Sequence, residues 1–364
     1  ATTNSSRTGG YALTIRQDYA DAIGYTKKVV TTDDLFELFK GFTYDDPDGD
    51  GKDNTWGMGG PSNWGVMSFQ FLTAPYGIMS SSYRIRDGKV TADIMTNDYK
   101  EFMKVAAEWY AAGVIDPEFI TDGIEEWLNK WKIGLHAGIY VGTHGFMDAY
   151  GDYKQPILDN FPTAKFTQID ALRTPDGKVG ALPEGPASSI AWGSRGFAPL
   201  FGYKADDAKV KKIMEIWDAV ITDEDLYVAC SLGEEGTMWE WEGNTRKAIS
   251  GYGYQETKGQ QEGLMCFFNV AYAPFEWWVK RLTQHDVDLL AWWDSQPKLC
   301  RGMCFNTGDF YPYSDLYSQM NADYESLVPG YFFDVVTGRK NVDDTWDDYQ
   351  KMLKEIRVVE FVEQ

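Results

Sequence analysis

A chain of 364 residues with 34 basic and 55 acidic side chains, a net charge of −21, is ill suited to nucleic acid or an anionic membrane, since both are polyanions. Hydrophobic residues make up 43% and aromatic residues 15% of it, enough to close one large or two medium α/β domains and leave rings over for contact surface. No apolar run approaches the ~20 residues of a membrane helix, and Ala1 onward carries no basic-then-apolar segment.

Residues 1–10 are small and polar and read as a linker or disordered end. Tyr11 to Arg16 alternates as a strand does and leads into a short helix closed by Gly24. Thr31 with Asp34 three residues on predicts a capping box, and Leu35, Leu38, Phe39 and Phe42 give the helix behind it one apolar face. After it come Asp46, Asp48 and Asp50 at alternate positions, then Gly51, Lys52, Asn54 and Thr55.

Alternate carboxylates can converge on one hard cation when a glycine at the sixth position turns the loop sharply. Asp46, Asp48, Asp50, the Lys52 carbonyl and Asn54 would supply the oxygens, as in an EF-hand loop, although Gly57 stands where an EF-hand has its bidentate glutamate. A solvated acidic turn is the bland alternative. A dockerin-like module is a third reading, and it calls for two copies where the sequence has one.

Trp56 to Gly60 and Pro61 to Trp64 form a glycine-and-tryptophan loop suited to a flat ligand approaching backbone. Asp87-Gly88 predicts a hairpin, and Asn97 a cap for a helix with Phe102, Val105, Ala106 and Trp109 on one face. Ile124, Leu128 and Trp131 mark a further helix, followed by a strand over Leu135 to Val141. The loop from Gly142 to Asp148 then lies at a strand's carboxyl end, where open α/β sheets hold ligands, and it contains His144. A hydrogen-bonded loop histidine is the competing reading.

Further on, Ala181 to Pro186 is a stiff crossing, and Ile190 to Phe197 a strand passing between lobes. A helix is expected over Asp206 to Ile221 with Val210, Ile213, Met214, Trp217 and Val220 buried. Trp277-Trp278 and Trp292-Trp293 sit on helical stretches, where adjacent side chains point about 100° apart, so one of each pair at most reaches a core centre. A terminal helix carries Tyr349, Met352, Leu353 and Ile356 and is capped near Thr345. Cys230, Cys266, Cys300 and Cys304 lack zinc-ligand spacing and read as buried thiols, with a disulfide open in an oxidising compartment. His285-Asp286 with Asp288 reads as a solvated turn before it reads as a metal site. Nucleotide-binding loops, nucleophile elbows and zinc-protease motifs are missing, and with 55 carboxylates an acid pair alone says nothing of glycosidase chemistry.

Taken in order, Tyr11 to Gly24, the Thr31 helix, Asp46 to Met58, the helix before Gly134, Gly233 to Trp241 and Leu327 to Tyr349 resemble family 1 extracellular solute-binding proteins. The branch they look like is the lipoprotein-type sugar binders of Gram-positive ABC importers. The resemblance implies a type II periplasmic-binding-protein-like fold, two α/β lobes with mixed sheets, closing on carbohydrate. It implies first-lobe sequence only over about 197–270, second-lobe sequence over 11–196 and 271–364, and crossing strands at Tyr11 to Arg16 and near Trp192 to Phe197. The family's amino-terminal strands, lipobox cysteine and export signal have no counterpart in these residues, so the first lobe is expected to be incomplete.

The resemblance further implies a structural Ca2+ held by Asp46, Asp48, Asp50, the Lys52 carbonyl, Asn54 and Thr55, with Asn54 standing where the family has an acid. Sugars offer apolar faces to rings and hydroxyls to polar side chains, so the candidate contacts are Trp64, His144, Asp148, Trp192, Arg195, Trp239, Trp241 and Tyr311. The implied function is capture of an oligosaccharide at the cell surface, by a protein lipid-anchored in its precursor, for an ABC permease, with no bond broken. A glycoside hydrolase and a calcium-dependent adhesion module are the alternatives.

Overall fold

Alternation at the start of the chain makes β1 (Tyr11–Arg16), five of whose six residues are buried. The computed structural model describes residues 11–78, 83–86, 89–148, 151, 153–177, 204–252, 275–296 and 315–363. Besides β1 it contains β2 (Trp56–Met58), β3 (Tyr83–Arg86), β4 (Lys89–Ala92), β5 (His136–Gly142), β6 (Phe166–Gln168), β7 (Trp239–Glu242) and β8 (Thr245–Ala248). The chain divides into two compact units. The larger takes Tyr11–Val141, Ile157–Ala191 and Gln296–Gln364, and the smaller includes Gly142–Pro156 and Trp192–Ser295.

The larger unit is built on a mixed sheet of order β2-β5-β1-β6. β2 runs parallel to β5 with Trp56 opposite His136, and β1 runs antiparallel to β6 with Thr14 opposite Gln168. All seven residues of β5 are buried, as a strand covered on both faces requires. The helix Thr32–Tyr44 lays Leu35, Leu38, Phe39 and Phe42 into this core, each at most 1% exposed. Thr31 Oγ1 accepts from Asp34 N at 3.1 Å, while Asp34 Oδ2 accepts from Thr31 N at 2.9 Å, the expected capping box. Burial pushes the Asp34 carboxyl up, but the Lys27 ammonium and the Thr31 and Val30 amides outweigh it and hold it well below the usual range. Thr31→Ala should cost about 1 kcal/mol in urea unfolding, the worth of one lost cap.

Two helix caps and one buried face differ from expectation. Thr96, in extended conformation, caps Asn97–Ala111 through Tyr99 N, so the cap is one residue earlier than Asn97. Asn341 caps Val342–Glu355, while Thr345 sits a turn inside with its hydroxyl on Asn341 O at 2.7 Å. In Ile124–Lys132 the buried face runs through Trp127 and Trp131, each 1% exposed, and leaves Ile124 at 41%, because the two largest rings decide which way the helix turns. β3 and β4 pair as a hairpin with Arg86 opposite Lys89, and the turn residues Asp87 and Gly88 lie outside the described residues.

In the smaller unit, Val220, Tyr227, Val228, Leu232 and Trp239 form a core cluster. The helix Asp207–Thr222 buries only Val220 fully among the described residues, while Ile213 and Met214 are 38% and 49% exposed. The expected stripe is thus only in part the buried face: Val210 and Trp217 are partly buried, and Ile213 and Met214 are exposed. Trp293 is fully buried and Trp292 only partly, as their 100° separation demands. Cys230 is a free, partly buried thiol; Cys266, Cys300 and Cys304 lie outside the described residues. Among the described residues no helix is long and apolar enough to cross a membrane.

Candidate functional site

Helix Thr32–Tyr44 has no basic residue in its last turn, so its negative end runs straight into Asp45, Asp46, Asp48 and Asp50. The loop turns through left-handed residues, Asp46 at φ 46°, Gly49 at 72° and Gly51 at 78°. Carboxylate oxygens of Asp46, Asp48 and Asp50 come within 4.8 Å of one another. Burial, with Asp50 and Asp46 adding to it, pushes the Asp48 carboxyl above its ordinary value. Part of the loop is internally bonded: Gly51 N donates to Asp46 Oδ2 at 3.0 Å, Lys52 N to Asp50 Oδ1 at 2.8 Å, and Asn54 Nδ2 to Asp50 Oδ2 at 3.1 Å.

Three further oxygens, Asp46 Oδ1, Asn54 Oδ1 and Thr55 Oγ1, are buried without a hydrogen-bond partner, and Thr55 is only 2% exposed. Three carboxylates drawn together, with desolvated and unpartnered oxygens in the same loop, are the kind of donors a hard cation takes. A solvated turn would leave such atoms to water. Gly57 explains the missing twelfth-position glutamate: a Cβ there would lie 2.3 Å from Phe39 Cγ.

Nine residues on, half-buried Trp64 lies within a row of rings in the same unit. It meets Trp127 edge-on at 5.2 Å and Tyr11 at 6.3 Å, and Tyr11 meets Tyr140 at 5.7 Å. Phe71 continues the row from Tyr140 towards Trp109 in the core. Trp127 Nε1 is buried and unpartnered. Among these rings sequence reasoning picked only Trp64, because Tyr11, Trp127 and Tyr140 come from three elements far apart in the chain.

A second acidic cluster, Asp116, Glu118 and Asp122, was also not legible beforehand. The Lys130 ammonium fills it, at 2.8, 2.6 and 2.7 Å from the three carboxylates. His136 Nε2 lies 2.8 Å from Asp116 Oδ2, both side chains fully buried. Burial pushes Asp116 up, but His136, Lys130 and the Glu118 amide outweigh it and leave the carboxyl below its ordinary value. Its cation is built in.

In the smaller unit, His144 is partly buried in the turn Thr143–Phe146, and burial pushes its imidazole below the ordinary value. Both Asp148 oxygens are engaged, by Lys154 Nζ at 2.6 Å and by Thr283 Oγ1 at 2.7 Å. Asp286 is fully buried and accepts from Thr283 N and Asp148 N, a capping role in place of the expected solvated turn. Trp239 is core, 4% exposed, with its indole N–H on Gly233 O at 3.0 Å, whereas Trp241 is 43% exposed. The Arg246 guanidinium lies 5.0 Å from the Trp241 ring centre. Trp192, Arg195 and Tyr311 lie outside the described residues.

No protein-family model matches the chain. Two curated relatives from Bacillus subtilis do. The polygalacturonan/rhamnogalacturonan-binding protein YtcQ is 28% identical over 234 residues, 62% of this chain and 43% of the relative. The lipoprotein LipO is 24% identical over 332 residues, 87% of this chain and 60% of the relative. The chain therefore spans about half the length of these relatives.

Among solved structures, a human-milk-oligosaccharide (HMO) binding, ABC-transporter-associated solute-binding protein from Bifidobacterium longum infantis superposes with TM-score 0.68 at 16% identity, covering 98% of this chain and 73% of that one. The Streptococcus pneumoniae substrate-binding protein FusA, solved with kestose, gives 0.68 at 17%, covering 100% and 72%. The alginate-binding protein AlgQ2, solved without calcium ion, gives 0.65 at 16%, covering 98% and 71%. The fold is accordingly the type II periplasmic-binding-protein-like one with mixed sheets, and the resemblance read from the sequence is matched by relatives and fold alike. These structural neighbours are binding proteins, not enzymes.

Proposed function

We propose that this chain is the ligand-holding part of an extracellular sugar-binding protein that captures an oligosaccharide and passes it to an ABC permease without cleaving it. The observation that carries this reading is the pair of part-exposed rings Trp64 and Tyr11, backed by a row of buried rings and able to offer an apolar surface to a sugar face, in a fold shared with oligosaccharide-binding proteins. The two compact units correspond to the two lobes of such a protein, and its place is the cell surface, with the lipid anchor on the precursor. Trp241, 43% exposed in the smaller unit, is open enough to take part; His144, Asp148, Trp192, Arg195, Trp239 and Tyr311 remain assigned from the sequence alone.

The loop from Asp46 to Thr55 is assigned a structural Ca2+, on the strength of its three unpartnered oxygens. Asp46, Asp48, Asp50, Asn54, Thr55 and the Lys52 carbonyl would hold it. When bound, the ion supplies charge neutralisation at a helix C-terminus. Asp50→Asn should weaken calcium binding at least tenfold in a calorimetric titration.

The deciding experiment is native mass spectrometry with calcium and a panel of fructan, milk-type, N-glycan and oligogalacturonate sugars. A one-to-one complex with the sugar intact supports the reading and names the ligand class. Shortened sugar makes the protein a hydrolase, and no complex with any member removes the sugar-binding assignment.

A further inference from the structure

The acidic loop and Trp64 are joined by a connection with few side-chain atoms to yield. At Gly57, Gly59 and Gly60 a Cβ would lie 2.3 Å from Phe39 Cγ, 2.5 Å from the His136 ring and 2.5 Å from Ser68 Oγ. The backbone therefore packs directly on its neighbours. It is also bonded along its length: Trp56 N donates to Leu135 O at 2.8 Å, Asp116 N to Met58 O at 2.9 Å, Ser62 N to Asp122 O at 2.8 Å and Trp64 N to Pro61 O at 3.0 Å. Gly65 then takes φ 49° and ψ −123°, a conformation nearly closed to other residues. Trp64 is fixed from both sides.

The other end of this connector is under load. Asp46 holds a left-handed φ, three carboxylates crowd together, and the Asp46, Asn54 and Thr55 oxygens are desolvated without partners. Thr55 is where the two ends meet. Its hydroxyl is buried without a hydrogen-bond partner next to the loop in sequence, and its carbonyl opens the peptide into Trp56 and β2.

We propose that residues 55–64 act as a stiff connector that ties the state of the acidic loop to the position of Trp64, so that cation and saccharide bind with mutual dependence. Thr55 is the positioning residue. The inference rests on the functional reading above, and linkage makes it reciprocal: whatever factor calcium adds to saccharide affinity, the saccharide adds to calcium affinity.

The test is hydrogen exchange of the intact chain in Ca2+ and in EDTA, followed by calcium titration with and without the tightest sugar of the panel. Calcium should protect amides 56–64 together with those of the loop, and each ligand should tighten the other by about five- to fiftyfold. Thr55→Val, which keeps the shape and removes the hydroxyl, should lower calcium affinity and the mutual factor while leaving the unfolding midpoint in EDTA unchanged. A merely structural threonine would lower that midpoint. Protection confined to residues 46–54 overturns the connector. So do calcium and sugar constants that ignore each other, a result that leaves the functional reading standing. If no sugar binds, the functional reading fails and hydrogen exchange alone decides the connector.

Discussion

Lys130→Met should remove about 3–5 kcal/mol of stability, measured by urea unfolding at neutral pH, because it leaves a buried charge without its counter-ion. Asp116 is fully buried and Asp122 nearly so, and the ammonium of Lys130, itself 15% exposed, is within 2.8 Å of both. Glu118 is 66% exposed, so water can replace the ammonium there, and Glu118→Gln should be close to neutral. The expected loss falls on Asp116, left with His136 as its ionisable partner. A double variant, Lys130→Met with Asp116→Asn, should recover part of the loss, since it removes the stranded charge.

The pH dependence has a definite sign. The native-state carboxyl of Asp116 lies below its unfolded value of about 3.9, so the group stabilises the fold above that pH and loses its contribution as pH falls through the native value. In Lys130→Met, burial opposes ionisation with less compensation, so this acid-side fall should weaken. An unchanged urea midpoint in Lys130→Met would mean that the cluster is held together by contacts other than its charge.

Trp64→Ala should weaken saccharide binding about tenfold or more while the chain stays folded. The ring is half-buried and touches Tyr11 and Trp127 by its edges, so its removal opens a partly solvated site in preference to a core cavity. Trp64→Phe, which keeps a smaller ring, should fall between the two. Titration calorimetry against the sugar identified by mass spectrometry reads the effect, and circular dichroism checks the fold. Equal affinity in Trp64→Ala would take this residue out of the site and leave Trp241 as the exposed ring to test next.

Features set by neighbours in the chain were legible without the structure. The Thr31–Asp34 box needs only a three-residue spacing, the acidic loop only alternate carboxylates and glycines, and the separation of Trp292 from Trp293 only the pitch of a helix. The resemblance to sugar-binding proteins likewise rested on motifs in order along the chain, and relatives and fold agree with it. Burial was a different matter. Periodicity alone marked Ile213 and Met214 as core, yet both are substantially exposed among the described residues.

Trp239 and Trp241 are two residues apart on β7 and so share a face, their rings edge-on at 5.5 Å, but that only Trp239 is covered depended on helix Glu224–Leu232 and its Tyr227 and Val228. Asp116, Glu118 and Asp122 looked like any acidic stretch until Lys130, on another helix, entered the cluster and His136 came in from β5. Sequence thus determined the helices, the Thr31 capping box, the cation-type loop and the family resemblance, because each is written in local spacing. Tertiary structure alone decided which rings pack together, which carboxylates already have a cation and which oxygens are left without a partner, because those depend on elements brought together from distant parts of the chain.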